Sequence, residues 1–285
     1  MKIFEDFCLR EFNSYRLNSS CRRAYFPESD EDIRALFSDS SKKRVVLGGG
    51  FNVILSKRYY EEDFVIFSEN YSRIELRGDT EILAESGTSM KILSEFALSK
   101  GLSGLEIYYD IPSSVGGAVV MNAGAGGEDI HALLKSVWYY DPDLDLFKSI
   151  GPANIGFEYR NSFFQRNPQM IVCRAHLELT TKDPLMIKEK MEATKVARWA
   201  KQPREYPNAG SVFKRPPGHF VGPMMEELGL KGYAIGGAKI SEKHGGFIVN
   251  YDRATGDDII ALIAHVRRRV KERYAIDLEV EQRII

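Results

Sequence analysis

The chain has 285 residues, enough for roughly two domains of about 150 residues each and for a substantial core. Its 39 Lys and Arg against 40 Asp and Glu give a formal charge of −1, so no bulk field draws it to nucleic acid, and an anionic ligand must be met by local groups. Hydrophobic residues at 44% and charged residues at 28% are ordinary for a soluble globular protein, and 24 Gly with 11 Pro exclude collagenous and low-complexity classes.

Cys8, Cys21 and Cys173 are too few for a disulfide framework, and their odd number favours a reducing compartment. The N-terminus MKIFEDFCLREF carries charge throughout and lacks the apolar core of a signal peptide. The longest charge-free stretch, Ile111–Gly127, is too short and too broken by glycine for a membrane helix. A soluble cytoplasmic protein is expected.

In chain order, a polar N-terminal segment leads to a short helix capped by Ser29 or Asp30, with Ile33, Leu36 and Phe37 turned inward. Val45–Leu47 and Val53–Leu55 read as strands on either side of Gly48-Gly49-Gly50-Phe51-Asn52. Short strands are expected at 64–67, 74–78 and 81–87. A helix follows to Lys100, with Ile92, Leu93, Phe96 and Ala97 on one face and Gly101 at its end.

The glycine-rich block 101–130 comes next, then strands at 135–140, 145–149 and 170–179. A helix spans 184–201 and stops before Pro203 and Pro207, which marks the best domain boundary. Beyond it lie a glycine-punctuated stretch, a strand at 246–250, and a helix near 257–274. Thr255 and Asp258 have capping-box spacing, and Ile259, Ile263, Val266 and Val270 share a face. DLEVEQRII reads as a last strand. The class is α+β.

Several chemistries lack their motifs. There is no phosphate-binding G-x-x-x-x-G-K-[ST], no G-x-G-x-x-G dinucleotide fingerprint and no G-x-S-x-G elbow. The five histidines are scattered and the cysteines far apart, so no metal site is indicated. What stands out is two glycine clusters, Gly48–Asn52 and Ile111-Pro112-Ser113-Ser114-Val115-Gly116-Gly117 with Met121-Asn122-Ala123-Gly124. Either alone reads most simply as a tight turn. Two about 60 residues apart point to backbone nests around a shared anion.

Ser211 lies between Gly210 and Val212, close to Lys214 and Arg215. Arg160 sits in the aromatic setting Phe157-Glu158-Tyr159-Arg160, and Glu279 and Glu281 lie two apart on the last expected strand. Each could equally be a turn serine, a surface arginine and a solvated strand face. Arg267-Arg268-Arg269 reads as a solvated helix face.

At these residues the chain resembles the UDP-N-acetylenolpyruvoylglucosamine reductase (MurB) family, flavoenzymes of peptidoglycan precursor synthesis. The matching segments are VVLGGGFNVIL, GLSGLE, VGGAVVMNAGAGGEDI, FEYRNSFF, NAGSVFKRPPGHF, GLKGYAIGGAKISEKHGGFIVN and LEVEQRII, in order along almost the whole chain. The resemblance implies an FAD-binding domain of the vanillyl-alcohol-oxidase (PCMH) type over 1–195, in subdomains of about 1–68 and 69–195. A C-terminal α+β substrate domain would cover 196–285.

It further implies non-covalent FAD held by Gly48, Gly49, Gly50, Phe51, Asn52, Ile111, Pro112, Ser113, Gly116, Gly117, Asn122, Ala123 and Gly124. NADPH would be the co-substrate and UDP-N-acetylglucosamine-enolpyruvate the substrate, met by Lys201, Lys214, Arg215 and Asn250. Ser211 is implied as proton donor, Arg160 as the catalytic arginine and Glu281 as the catalytic acid. No metal, nucleic-acid or membrane partner is expected, and the protein is expected to be a cytoplasmic monomer serving cell-wall synthesis, cell shape and division.

The chain departs from the family pattern at Phe51, where a serine is usual, and at Asp110-Ile111-Pro112-Ser113, in place of Gly-Ile-Pro-Gly. It departs again at Asn18-Ser19-Ser20, where a Gly-Gly is common, and at Arg215, where an asparagine is usual. Arg215 matches the shorter subtype without a tyrosine-bearing lid loop. A flavin-binding protein without turnover and a flavin oxidase acting on another alcohol or sugar are the competing readings. The joint presence of Arg160, Ser211 and Glu281 argues against the first, and a fast reaction of reduced flavin with oxygen would favour the second.

Overall fold

The computed structural model describes residues 1–39 and 41–285. It divides into two compact units. The first comprises Met1–Phe4, Ala24–Gly49 and Asp63–Val196, the second Glu5–Arg23, Gly50–Glu62 and Ala197–Ile285. Two N-terminal segments thus belong to the second unit. Glu5–Arg23 and Gly50–Glu62 group with the C-terminal residues because their partners lie there. The Tyr15 hydroxyl donates to Gln282 at 2.9 Å, and Val53–Ile54 pairs in parallel with Arg283–Ile284.

In the first unit, Arg44–Leu47 runs parallel to Asp63–Ile66, which also pairs with Ala24 and Tyr25. Helix α1, Asp30–Phe37, begins where the Ser29 hydroxyl accepts the Asp32 amide, and Asp30, Glu31 and Asp32 favour its positive end. The other sheet is antiparallel, in the order 146–150, 134–141, 171–178, 81–85, 74–77. Successive side chains on a strand point to opposite faces, so neighbours serve two cores. Tyr139, Val172 and Ala175 join Ile82 and Ala84 in one cluster, while Tyr140, Ile171 and Cys173 join Tyr25, Ile33 and Val65 in another.

The first of these cores is completed by α2, Met90–Ser99, through Met90, Leu93 and Ala97, and by α3, Val115–Met121, through Val115, Ala118 and Val119. Ile92, expected on the inward face of α2, is 56% exposed instead. Helix α4, Pro184–Lys201, has the expected bounds and buries only Ile187 and Met191; its residues to Val196 belong to this unit.

α3 was not expected. Two adjacent glycines argue against a helix, but tertiary packing overrides that. Ser114 caps its start by accepting the Gly117 amide at 3.2 Å, and its apolar residues are buried in the core. The strands Lys2–Cys8 and Ser20–Phe26 were likewise not anticipated in the polar N-terminal segment.

In the second unit, Ser20 and Cys21 pair in parallel with Tyr59 and Tyr60, and 234–235, 238–240 and 248–250 form an antiparallel sheet. Helix α5, Val221–Glu227, buries Val221, Met224 and Met225 within the glycine-punctuated stretch. Helix α6, Gly256–Tyr274, starts with the expected capping box, Thr255 and Asp258 each accepting the other's amide. It buries Ile259, Leu262, Ile263, Val266 and Val270. The last expected strand is reduced to Arg283–Ile284, preceded by a bridge between Phe213 and Val280. Among the described residues, no helix is long and apolar enough to cross a membrane.

Candidate active site

In the first unit, segment 86–90 lies beside 113–116. The amide of Gly116 donates to Ser86 O and that of Val115 to Thr88 O, both at 2.9 Å, and the amide of Met90 donates to Ser113 O at 2.9 Å. Glycine is needed here for close approach. A Cβ on Gly116 would lie 2.8 Å from Ser86 Cβ, and one on Gly48 would lie 2.3 Å from Ser114 Oγ. Gly116 and Gly117 make hydrogen bonds of their own here, their amides donating to Ser86 O and Ser114 Oγ.

The same place offers other polar groups. Ser86 and Thr88 are 2% and 1% exposed, and among the described residues their hydroxyls have no hydrogen-bond partner. Orphaned buried hydroxyls cost stability unless a ligand satisfies them. Together with the close-packed glycines they fit a polar cofactor. The sequence reading missed both, although a hydroxyl-rich Ser86-Gly87-Thr88-Ser89 between an expected strand and an expected helix was visible.

Asn122 ends α3 in the left-handed conformation, at φ +44°. Its amide nitrogen donates to Glu158 O at 3.0 Å and to Asp129 at 3.2 Å, while its side-chain oxygen accepts the His131 amide at 3.4 Å. Reciprocal amide–carbonyl bonds between Glu158 and Asn161, both 3.1 Å, close a tight turn that presents Arg160. The Arg160 guanidinium donates to Asn122 O at 3.2 Å and Gly124 O at 2.7 Å, which places a cation by the negative end of α3. Gly124 is close-packed, since a Cβ there would lie 2.1 Å from Glu128 O. Arg160, Asn122 and Gly124 are thus brought together. Ala123 O accepts the Tyr108 hydroxyl at 3.0 Å, Ile111 donates its amide to Tyr108 O at 3.2 Å, and Ser113 Oγ reaches Ile111 O at 3.3 Å.

In the second unit, Ser211 bridges Phe247 on one side, and Val212 donates to Gly246 O at 3.0 Å. On the other side Val212 O accepts the Glu281 amide at 2.8 Å, and Lys214 donates its amide to Glu279 O at 3.0 Å. Ser211 and Glu281 therefore stand on neighbouring segments, Ser211 exposed and Glu281 half-buried. The left-handed Gly210, φ +80°, leads into Ser211.

Gly50 has φ +67°, and a Cβ there would lie 1.9 Å from Phe12 O. Phe51 is exposed. Asn52 donates its side-chain amide to Glu281 O at 3.2 Å and accepts the Arg283 amide at 3.0 Å, so it braces the strand that carries Glu281.

The expected substrate residues diverge. Lys214 Nζ pairs with Glu279 at 2.6 Å. Asn250 donates to Tyr15 O at 2.7 Å and accepts the Ala254 amide at 2.7 Å, which commits both ends of its side chain to main chain. Arg215 lies over the Phe220 ring at 4.6 Å, and Lys201 is exposed at the end of α4. Among the described residues no group of three or more His, Cys, Asp or Glu is placed to hold a metal.

An FAD-binding domain model matches residues 22–143, and the C-terminal domain model of UDP-N-acetylenolpyruvoylglucosamine reductase matches residues 202–285. A UDP-N-acetylenolpyruvoylglucosamine reductase of Syntrophomonas wolfei is 39% identical over 97% of this chain and 93% of its own. One of Francisella tularensis is 38% identical over 97% and 98%. The crystal structure of UDP-N-acetylenolpyruvylglucosamine reductase from Thermus caldophilus superposes with a TM-score of 0.83, at 30% identity, covering 99% of this chain and 98% of that one.

The fold and these matches define a flavin-dependent oxidoreductase of α+β class, with an FAD-binding domain of the vanillyl-alcohol-oxidase type and FAD as cofactor. The chain belongs to the UDP-N-acetylenolpyruvoylglucosamine reductase family.

Proposed function

We propose that this protein reduces UDP-N-acetylglucosamine-enolpyruvate to UDP-N-acetylmuramate with NADPH, in peptidoglycan precursor synthesis. The observation that carries the reading is the pairing of the Ser211 and Glu281 segments, through the 2.8 Å bond from Glu281 N to Val212 O, inside the stretch matched by the reductase C-terminal model. The functional division follows the family: 1–195 serves FAD and 196–285 the substrate, in a cytoplasmic monomer. Gly48–Asn52 and the Ile111–Gly124 block would lie against the cofactor, with the hydroxyls of Ser86 and Thr88 supplying polar contacts.

When bound, FAD would supply hydride from NADPH for C3 of the enolpyruvyl group. The chain's own residues manage the charge and the proton. Addition at C3 leaves an electron pair at C2, delocalised into the carboxylate, and the fixed cation of Arg160 stabilises it. Glu281 holds the developing enol at that carboxyl group. The Ser211 hydroxyl gives its proton to C2, completing the lactyl ether. Lys201, Lys214 and Arg215 would meet the diphosphate.

The test is an anaerobic titration of the holoenzyme. NADPH should bleach the flavin band, and UDP-N-acetylglucosamine-enolpyruvate should restore it. A flavin restored only by oxygen would overturn the reading in favour of an oxidase.

A further inference from the structure

The main chain that carries Ser211 is held by the side-chain amide of Gln282, beside the bond from the Gly210 amide to Asn208 Oδ1 at 3.2 Å. Gln282 is 4% exposed, and its Nε2 lies 2.9 Å from Ala209 O, 3.3 Å from Gly210 O and 3.4 Å from Ser211 O. Its Oε1 accepts the hydroxyl of the fully buried Tyr15 at 2.9 Å. Only this orientation of the amide is consistent, because the flipped one would turn an oxygen toward three carbonyl oxygens. Burial raises the Tyr15 hydroxyl well above its ordinary range, so it stays a donor and keeps the amide fixed.

The clamp sits at a left-handed glycine. Gly210, with φ +80°, has more accessible conformations than any other residue type, and it immediately precedes the exposed Ser211. Past Ser211 the chain is fixed by the Val212 bonds to Gly246 and Glu281. Before it, Gln282 gathers the carbonyls of Ala209 and Gly210. Gln282 also follows Glu281 in sequence, so one short segment carries the acid and fixes the approach of the hydroxyl.

We propose that Gln282, anchored by Tyr15, is a positioning residue that sets the Ser211 hydroxyl for proton delivery to C2. The inference rests on Ser211 being the proton donor. It touches neither flavin reduction nor the charge on substrate, so its loss should fall on one half-reaction. Misplacement by about 1 Å is enough to cost roughly 10²-fold in a positioned step.

The experiment uses FAD-loaded protein and single-turnover kinetics. Gln282→Leu should leave flavin reduction by NADPH within about twofold of wild type and slow reoxidation by UDP-N-acetylglucosamine-enolpyruvate roughly 10–10²-fold. Gln282→Glu gives a readout that packing alone would not. Its carboxylate repels the carbonyls at neutral pH, but the protonated acid donates to them and still accepts from Tyr15. Reoxidation by Gln282→Glu, relative to wild type, should therefore recover as the pH falls, and Gln282→Leu should not. Tyr15→Phe should show the same one-sided defect in milder form, and it decides the matter with Gln282→Glu if Gln282→Leu does not fold.

Wild-type reoxidation in Gln282→Leu beside a slow Ser211→Ala would overturn the clamp alone. Equal slowing of both half-reactions would overturn it as a merely structural effect. Wild-type reoxidation in Ser211→Ala would overturn the proton-donor reading and the clamp with it.

Discussion

Gly48 faces Ser114 so closely that a Cβ on the glycine would stand 2.3 Å from the serine hydroxyl oxygen. That hydroxyl caps α3 through the Gly117 amide. The contact accounts for one glycine of the Gly48–Gly50 loop without reference to any ligand.

Gly48→Ala should therefore displace Ser114 and loosen the start of α3, costing about 1–3 kcal/mol as an overpacked contact does. Ser114→Ala alone should cost about 1 kcal/mol as a lost cap. The double variant should be more stable than the sum of the two, because the clashing oxygen is gone. Urea unfolding of the four proteins checks this, and strict additivity would contradict it.

The unpartnered hydroxyls of Ser86 and Thr88 predict opposite effects on two measurements. Ser86→Ala and Thr88→Val should leave the thermal midpoint of the FAD-free protein unchanged or raised, since a buried unsatisfied group is removed. FAD affinity should fall by roughly 10-fold for each, the worth of about one hydrogen bond to a charged group. Fluorescence titration with FAD measures the second. Unchanged affinity in both would remove these residues from the cofactor site.

Glu106 supplies a pH dependence. It is buried, and burial alone would raise its pKa. The Ser103 hydroxyl, the Gly104 amide at 3.0 Å and Lys190 at 3.8 Å outweigh that and hold it below the ordinary value. A lowered folded-state pKa adds stability that is fully present above the unfolded value, about 4.3, and is lost as pH falls through the folded one. Glu106→Gln should lower stability by about 1–3 kcal/mol at neutral pH, and the gap to wild type should close in acid. A gap that stays constant to low pH would contradict the assignment.

The elements legible in the sequence were those whose signals are local. α6 announced itself by apolar periodicity and the Thr255–Asp258 box, and α4 by periodicity and the prolines beyond it. α3 was hidden because its glycines lower helix propensity, and the close contacts with Ser86 and Ser114 that call for glycine there come from outside the helix.

The same limit applies to the site. The residue types at Arg160, Ser211 and Glu281 were readable together with the family pattern, but their partners were not. Asn250, implied by the resemblance as a substrate ligand, bonds Tyr15 O, 235 positions away. Lys214, a cation close to Ser211 in sequence, pairs with Glu279, 65 positions away. Ser86 and Thr88 escaped notice because a hydroxyl's lack of partner exists only in three dimensions.

The central claim is that Ser211 gives the proton that completes reduction at C2. The most direct measurement is stopped-flow flavin absorbance of Ser211→Ala in its two half-reactions. Reduction by NADPH should stay near the wild-type rate, and reoxidation by UDP-N-acetylglucosamine-enolpyruvate should slow by about 10²–10⁴-fold, the share of a positioned acid. Ser211→Cys should recover part of the loss, because a thiol also donates. Reoxidation of Ser211→Ala at the wild-type rate would place the proton donor elsewhere and contradict the account.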